Sequence, residues 1–109
     1  MGFLTSFSRT LYLTKYINTK RIEFDNAQMM QLDLSNQIAK LANEISNIGD
    51  SDSKAVKELK ARESELKALD AELQVKLKKL QSQIEAAQAM KQSSDQMLRQ
   101  DIQSSFVFR

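Results

Sequence analysis

Apolar residues return every three or four positions along this chain, in two long stripes separated by one short polar segment. In the first stripe a seam runs through Leu13, Ile17, Lys20, Phe24, Ala27, Gln31, Leu34, Ile38, Leu41, Ile45 and Ile48. Its alternating steps of four and three are the rhythm of a helix packed lengthwise on another. The second stripe carries Leu59, Leu66, Leu69, Leu73, Leu77, Leu80, Ile84 and Ala87. Leu69, Leu73 and Leu77 follow one another at steps of four, a stutter that would locally unwind a left-handed supercoil. Between the stripes Gly49 supplies a helix stop, and Asp50, Ser51, Asp52 and Ser53 supply turn and N-cap residues. A connection this short folds two long helices back on each other. The pattern therefore predicts an all-α fold: a long antiparallel two-helix coiled-coil hairpin forming one domain over 1–109. Helix one is expected over about 4–47, the turn over 48–53, and helix two over about 54–105. The predicted intramolecular seam pairs Leu34, Ile38, Leu41, Ile45 and Ile48 with Leu59, Leu66, Leu69 and Leu73.

Composition supports long helices. The 109 residues include no proline, and glycine only at positions 2 and 49, so almost nothing interrupts a helix. Helices of these lengths would run roughly 65 and 75 Å at 1.5 Å per residue. Two such helices share one interface and have no third layer, so a single chain can bury little of its own surface. An oligomer is the expected remedy.

The distribution of residue types says where the oligomer would form. All seven aromatics (Phe3, Phe7, Tyr12, Tyr16, Phe24, Phe106 and Phe108) lie near the termini, which meet at one end of an antiparallel hairpin. The first helix also carries Leu4, Leu11, Ile22, Met29, Met30 and Leu32 away from its seam, and apolar residues on several faces call for burial on several faces. Charge is densest beside the turn, from Lys54 to Lys79, whereas 81–109 is rich in Gln and Ser. Uncharged polar side chains tolerate close packing at less desolvation cost than unpaired charges. Phe3, Leu4, Phe7, Leu11, Tyr12, Tyr16, Met29, Met30, Leu98, Ile102, Phe106 and Phe108 are thus the expected subunit contacts, with the charged turn facing outward.

Chemistry is harder to find. Without His there is no imidazole base for the many serines, and without Cys no thiolate ligand or disulfide. Glu63 with Glu65 and Asp70 with Glu72 read as charges on a solvated helix face, and Gly49-Asp50-Ser51 lacks the second glycine and lysine of a phosphate loop. The Asp50 and Asp52 pair has neither the following glycine nor the closing glutamate of a calcium loop. No enzymatic activity, cofactor or metal is expected. Lys and Arg total 16 against 14 Asp and Glu, and a net charge of +2 gives no case for nucleic acid. The apolar opening is too short and too soon charged, at Arg9, for a secretory signal. Met1-Gly2 with Ser6 fits a myristoylation pattern, but Thr5 or Ser6 also reads as a helix N-cap.

Three functions fit these residues. The first is a self-assembling subunit, its partner a second copy of itself. The second is a cytoplasmic coiled-coil adaptor or chaperone for another helical protein. The third is a membrane-surface module using Arg9, Lys15, Lys20 and Arg21 beside Phe3, Phe7, Leu11 and Tyr12; apolar residues all round that helix suit burial in protein better. The ending Asp101-Ile102-Gln103-Ser104-Ser105-Phe106-Val107-Phe108-Arg109 resembles the tail of type III secretion needle subunits. The helical-hairpin plan and apolar termini are also similar to those needle subunits and to the terminal helices of flagellin. Needle subunits are shorter, and their turn usually holds a proline. The resemblance implies polymerisation into an extracellular or cell-surface filament, export without a cleaved signal, and a secretion apparatus or chaperone as further partner.

Overall fold

A computed structural model describes residues 2–107, with side chains through Ser104. Two helices account for nearly all of it. Helix α1 spans Phe3–Ile48 and helix α2 spans Lys54–Val107, 46 and 54 residues long. They form an antiparallel hairpin and, among the described residues, there is no strand.

The break between them is built locally. Gly49 takes φ +76°, a left-handed conformation in which a Cβ is strained, and its N–H donates to the Ile45 carbonyl at 3.4 Å to close α1. The Asp50 carboxylate accepts from the Asp52 N–H at 3.1 Å, and the Ser53 N–H and hydroxyl both donate to the Asp50 carbonyl. Ser53 is the N-cap of α2: its Oγ accepts from the Val56 N–H at 3.1 Å. Val56, at the third helical position, is among the most deeply buried side chains. At the start of α1 the expected cap at Thr5 or Ser6 is replaced. The helix begins at Phe3, and the Ser6 N–H already donates to the Gly2 carbonyl at 3.2 Å.

The packed chain divides into two units. One comprises residues up to Phe24 with those from Lys79 onward; the other is Asp25–Lys78, which contains the turn. In the turn unit the less exposed positions of α1 are Ala27, Gln31, Leu34, Ile38, Leu41 and Ile45, with Gln37 beside them, and those of α2 are Val56, Leu59, Glu63, Leu66, Asp70, Leu73 and Leu77. In the terminal unit they include Ser6, Thr10, Leu13, Ile17, Lys20 and Phe24, with Leu80, Ile84, Ala87, Lys91, Ser94, Leu98 and Asp101, flanked by the half-buried Thr14, Tyr16, Glu23, Gln83, Asp95 and Met97.

Two seam assignments need correction. Ile48 is 44% exposed, because the last residue of α1 has no turn of helix beyond it to cover it. Leu69 is 47% exposed, and the half-buried position is its neighbour Asp70. The seam of α2 therefore steps Leu66, Asp70, Leu73, Leu77, alternating four and three without a stutter. Hydrophobicity favoured the leucine, but a regular partner helix demands the regular step. The cost is visible: Asp70 Oδ1 is buried with no hydrogen-bond partner.

An unpaired buried carboxylate oxygen costs about 1–3 kcal/mol. Asp70→Leu should remove that cost and fill the heptad position, raising the thermal midpoint by several degrees in a circular dichroism melt. A lowered midpoint would mean the carboxylate serves the fold in some other way.

Candidate interaction surfaces

The polar seam positions are where helix packing becomes specific. In the terminal unit Ser6 and Ser94 are both buried. The Ser6 hydroxyl donates to the Asp101 carboxylate, and Thr10 and Ser94 share a hydrogen bond of 2.8 Å. Thr14 donates back to the Thr10 carbonyl at 2.9 Å. Charged seam residues turn their heads along their own helix: Lys20 to Glu23 at 3.5 Å, Lys67 to Glu63 at 3.3 Å, and Lys91 to Asp95 at 3.8 Å. In the first and last of these pairs the lysine is the seam residue, and in the second it is Glu63, reached by the exposed Lys67. Lys20 Nζ also sits 5.5 Å from the centre of the Tyr16 ring.

Around these seams lie uncovered apolar side chains. In the terminal unit Phe3 and Phe7 stack with ring centres 5.9 Å apart, and Tyr12 and Tyr16 with centres 6.3 Å apart. Phe3, Leu4, Phe7, Leu11 and Tyr12 are exposed, as is Ile102; Tyr16 is half-buried, and Leu98 is half-buried at a seam position of α2. In the turn unit Met29 and Met30 are exposed, together with Leu32, Leu69 and Val75. Of the remaining expected contacts, the Phe106 side chain and the whole of Phe108 lie outside the described residues.

The exposed residues of the first helix are better ordered than the sequence suggests. Projected at about 100° per residue, Leu4, Phe7, Leu11 and Ile22 fall within an arc of about 60°, roughly 140° from the centre of the seam. Besides the face covered by α2, these four residues make one bare row, while the exposed Tyr12 stands on a further side of the helix. Basic residues dominate that segment: residues 2–24 hold Arg9, Lys15, Lys20 and Arg21 against Glu23 alone. The Arg9 guanidinium donates to the Met97 sulfur at 3.9 Å.

Each unit also has clefts between its two helices. In the turn unit Met30, Leu34, Leu69 and Leu73 floor a cleft of about 340 Å³, rimmed by Asp33, Glu72 and Lys76. In the terminal unit a smaller cleft of about 220 Å³ lies beneath Tyr12 and Tyr16, against Ala86, Ala87 and Met90. A third, of about 290 Å³, is polar, between Thr14, Asn18 and Arg21 on α1 and Gln88, Lys91 and Asp95 on α2. Among the described residues no cluster of acidic side chains is arranged to hold a metal ion. Nor is any helix there long and apolar enough to cross a membrane. Glu63 is taken up by Lys67, Glu65 is exposed, and Glu72 stands on the cleft rim. What these features offer is binding surface. No family model, curated protein or solved structure matches this chain.

The Ser6 and Asp101 contact holds the terminal unit together across the seam. Ser6→Ala leaves the carboxylate without its donor and should cost about 1–2 kcal/mol. The double change Ser6→Ala with Asp101→Leu should recover most of that, because both polar groups then go. Hydrogen exchange should place the loss in residues 3–20 and 91–104; equal protection in variant and parent would mean the contact contributes nothing.

Proposed function

We propose that this protein is a self-assembling structural subunit, a helical hairpin that polymerises with copies of itself. The observation that carries the reading is the bare apolar row on α1: Leu4 is 75% exposed and Phe7 48%, beside a seam that α2 already occupies. A monomeric soluble protein rarely leaves contiguous apolar surface open, and such surface marks contact with other molecules. The likeness of the C-terminal residues to secretion needle subunits supports the same reading, and with it export without a cleaved signal to the cell surface or beyond. A secretion apparatus or a chaperone would then be a transient partner.

A second reading has one observation in its favour. The bare row lies on a single face of a segment with four basic residues and one acid, as in a helix that rests on anionic lipid. A coiled-coil adaptor would use the same row against a foreign helix.

Sedimentation of the full chain across a concentration series, with negative-stain images of the pellet, separates these readings. Regular fibres above a critical concentration are expected. A monomer at every concentration would sink the proposal, a small closed oligomer would point to the adaptor, and pelleting only with vesicles to the membrane module. Replacing Lys57, Lys60 and Lys67 together by Gln should leave fibre formation nearly unchanged. Lys57 and Lys60 are exposed, and the Lys67–Glu63 pair is a surface one worth little.

A further inference from the structure

The surfaces of the two units differ in a way that selects how copies meet. The terminal unit presents a ridge, the row Leu4, Phe7 and Leu11 with the Phe3 ring stacked on Phe7. The turn unit presents a hollow, the apolar cleft of about 340 Å³ floored by Met30, Leu34, Leu69 and Leu73. That volume is at the small end for a ligand pocket of roughly 300–1,000 Å³, yet it admits an aromatic side chain.

Charge distinguishes the pairings. Two ridges facing each other would bring Lys15 and Arg21 of one copy toward those of the other, and like charges juxtaposed at an interface are strongly disfavoured. Two hollows facing each other leave both empty. The hollow, however, is rimmed by Asp33 and Glu72 against Lys76. Its α1 segment, residues 25–48, carries Asp25, Asp33 and Glu44 against Lys40 alone. A basic ridge and an acid-rimmed hollow are complementary in both shape and sign.

We infer that Phe7 and its neighbours on one chain seat in the Met30–Leu34–Leu69–Leu73 cleft of a second copy. The inference rests on the self-assembly reading and names its contact. Because ridge and hollow are different surfaces of the same chain, the contact is heterologous wherever the same two copies do not also return it. Such a contact repeats without closing unless the rotation happens to complete a ring, and so it builds a filament. Aromatic anchors seated in desolvated pockets carry most of the energy of such interfaces.

The test uses two full-length variants, each with one surface spoiled. Phe7→Ser removes the ridge and keeps the hollow; Leu69→Lys spoils the hollow and keeps the ridge. Both residues are about half exposed and off the seam, so circular dichroism should show parental helicity, and Met30→Lys serves as a second hollow variant. Each variant alone should need about tenfold or more protein to sediment than the parent. An equimolar mixture of Phe7→Ser and Leu69→Lys retains one intact ridge and one intact hollow. It should form heterodimers by analytical ultracentrifugation, and nothing longer.

Two variants that are each defective but give no heterodimer on mixing would overturn the contact, as would variants that assemble like the parent. In either case a parent that forms fibres leaves the self-assembly reading standing. A parent that stays monomeric overturns both. Loss of binding to phosphatidylserine vesicles in Phe7→Ser, with fibre formation unchanged, would assign the ridge to lipid and also overturn the contact.

Discussion

Everything in this molecule depends on one rhythm, the alternation of steps of four and three along a single seam on each helix. From Ser6 to Ile45 on α1 and from Leu59 to Asp101 on α2 the seam positions keep it without a skip. A 3.5-residue repeat keeps the two seams facing each other over a long distance only if neither helix loses step. That constraint outranks hydrophobicity at individual positions, which is why Asp70 is drawn toward the seam while Leu69 is left out. It also limits what one chain can bury. A two-helix seam covers one stripe per helix, and any second apolar stripe must find its cover elsewhere.

The seam is unevenly polar. The turn unit has mostly Leu and Ile at its seam positions, interrupted by Gln31, Glu63 and Asp70, whereas the terminal unit places Ser6, Thr10, Lys20, Lys91, Ser94 and Asp101 there. Polar seam residues cost stability but penalise every misaligned register, since sliding one helix would strand the Ser6–Asp101 and Thr10–Ser94 partners. An all-apolar seam would leave the turn as the sole lock on register, and the layers far from it freer to slip. The hydrogen-bonded layers remove that freedom.

Much of the fold was legible because so few residues compete with helix. The absence of proline, the single internal glycine and the cap residues after it mark the hairpin, and the 4-3 pattern marks the seam of α1. The seam of α2 was harder to read, since Leu69 and Asp70 are adjacent and only the partner's regularity decides between them. Ser6 reads from sequence as a cap or as part of an acylation pattern; its bond to a residue 95 positions away has no local signature. The bare row was hidden for a similar reason. Leu4, Phe7, Leu11 and Ile22 separate from Leu13 and Ile17 only once it is known which face α2 covers. The hollow at Met30 and Leu69 combines residues from both helices, so no one-dimensional pattern contains it.

The turn has a consequence for how the chain folds. The bonds that Gly49, Asp50 and Ser53 make reach only residues two to four positions away, so the turn can form before any distant contact exists. Closing a short loop costs little chain entropy, and each successive seam layer is then brought close by the one before it. The hairpin should zip outward from Gly49, and the Thr10–Ser94 and Ser6–Asp101 layers, 84 and 95 residues apart in sequence, should close last. By the same ordering they open first, at a free energy below that of global unfolding. A newly made chain would thus hold its turn unit folded while its terminal residues are still apart, their apolar side chains open to solvent before they find each other.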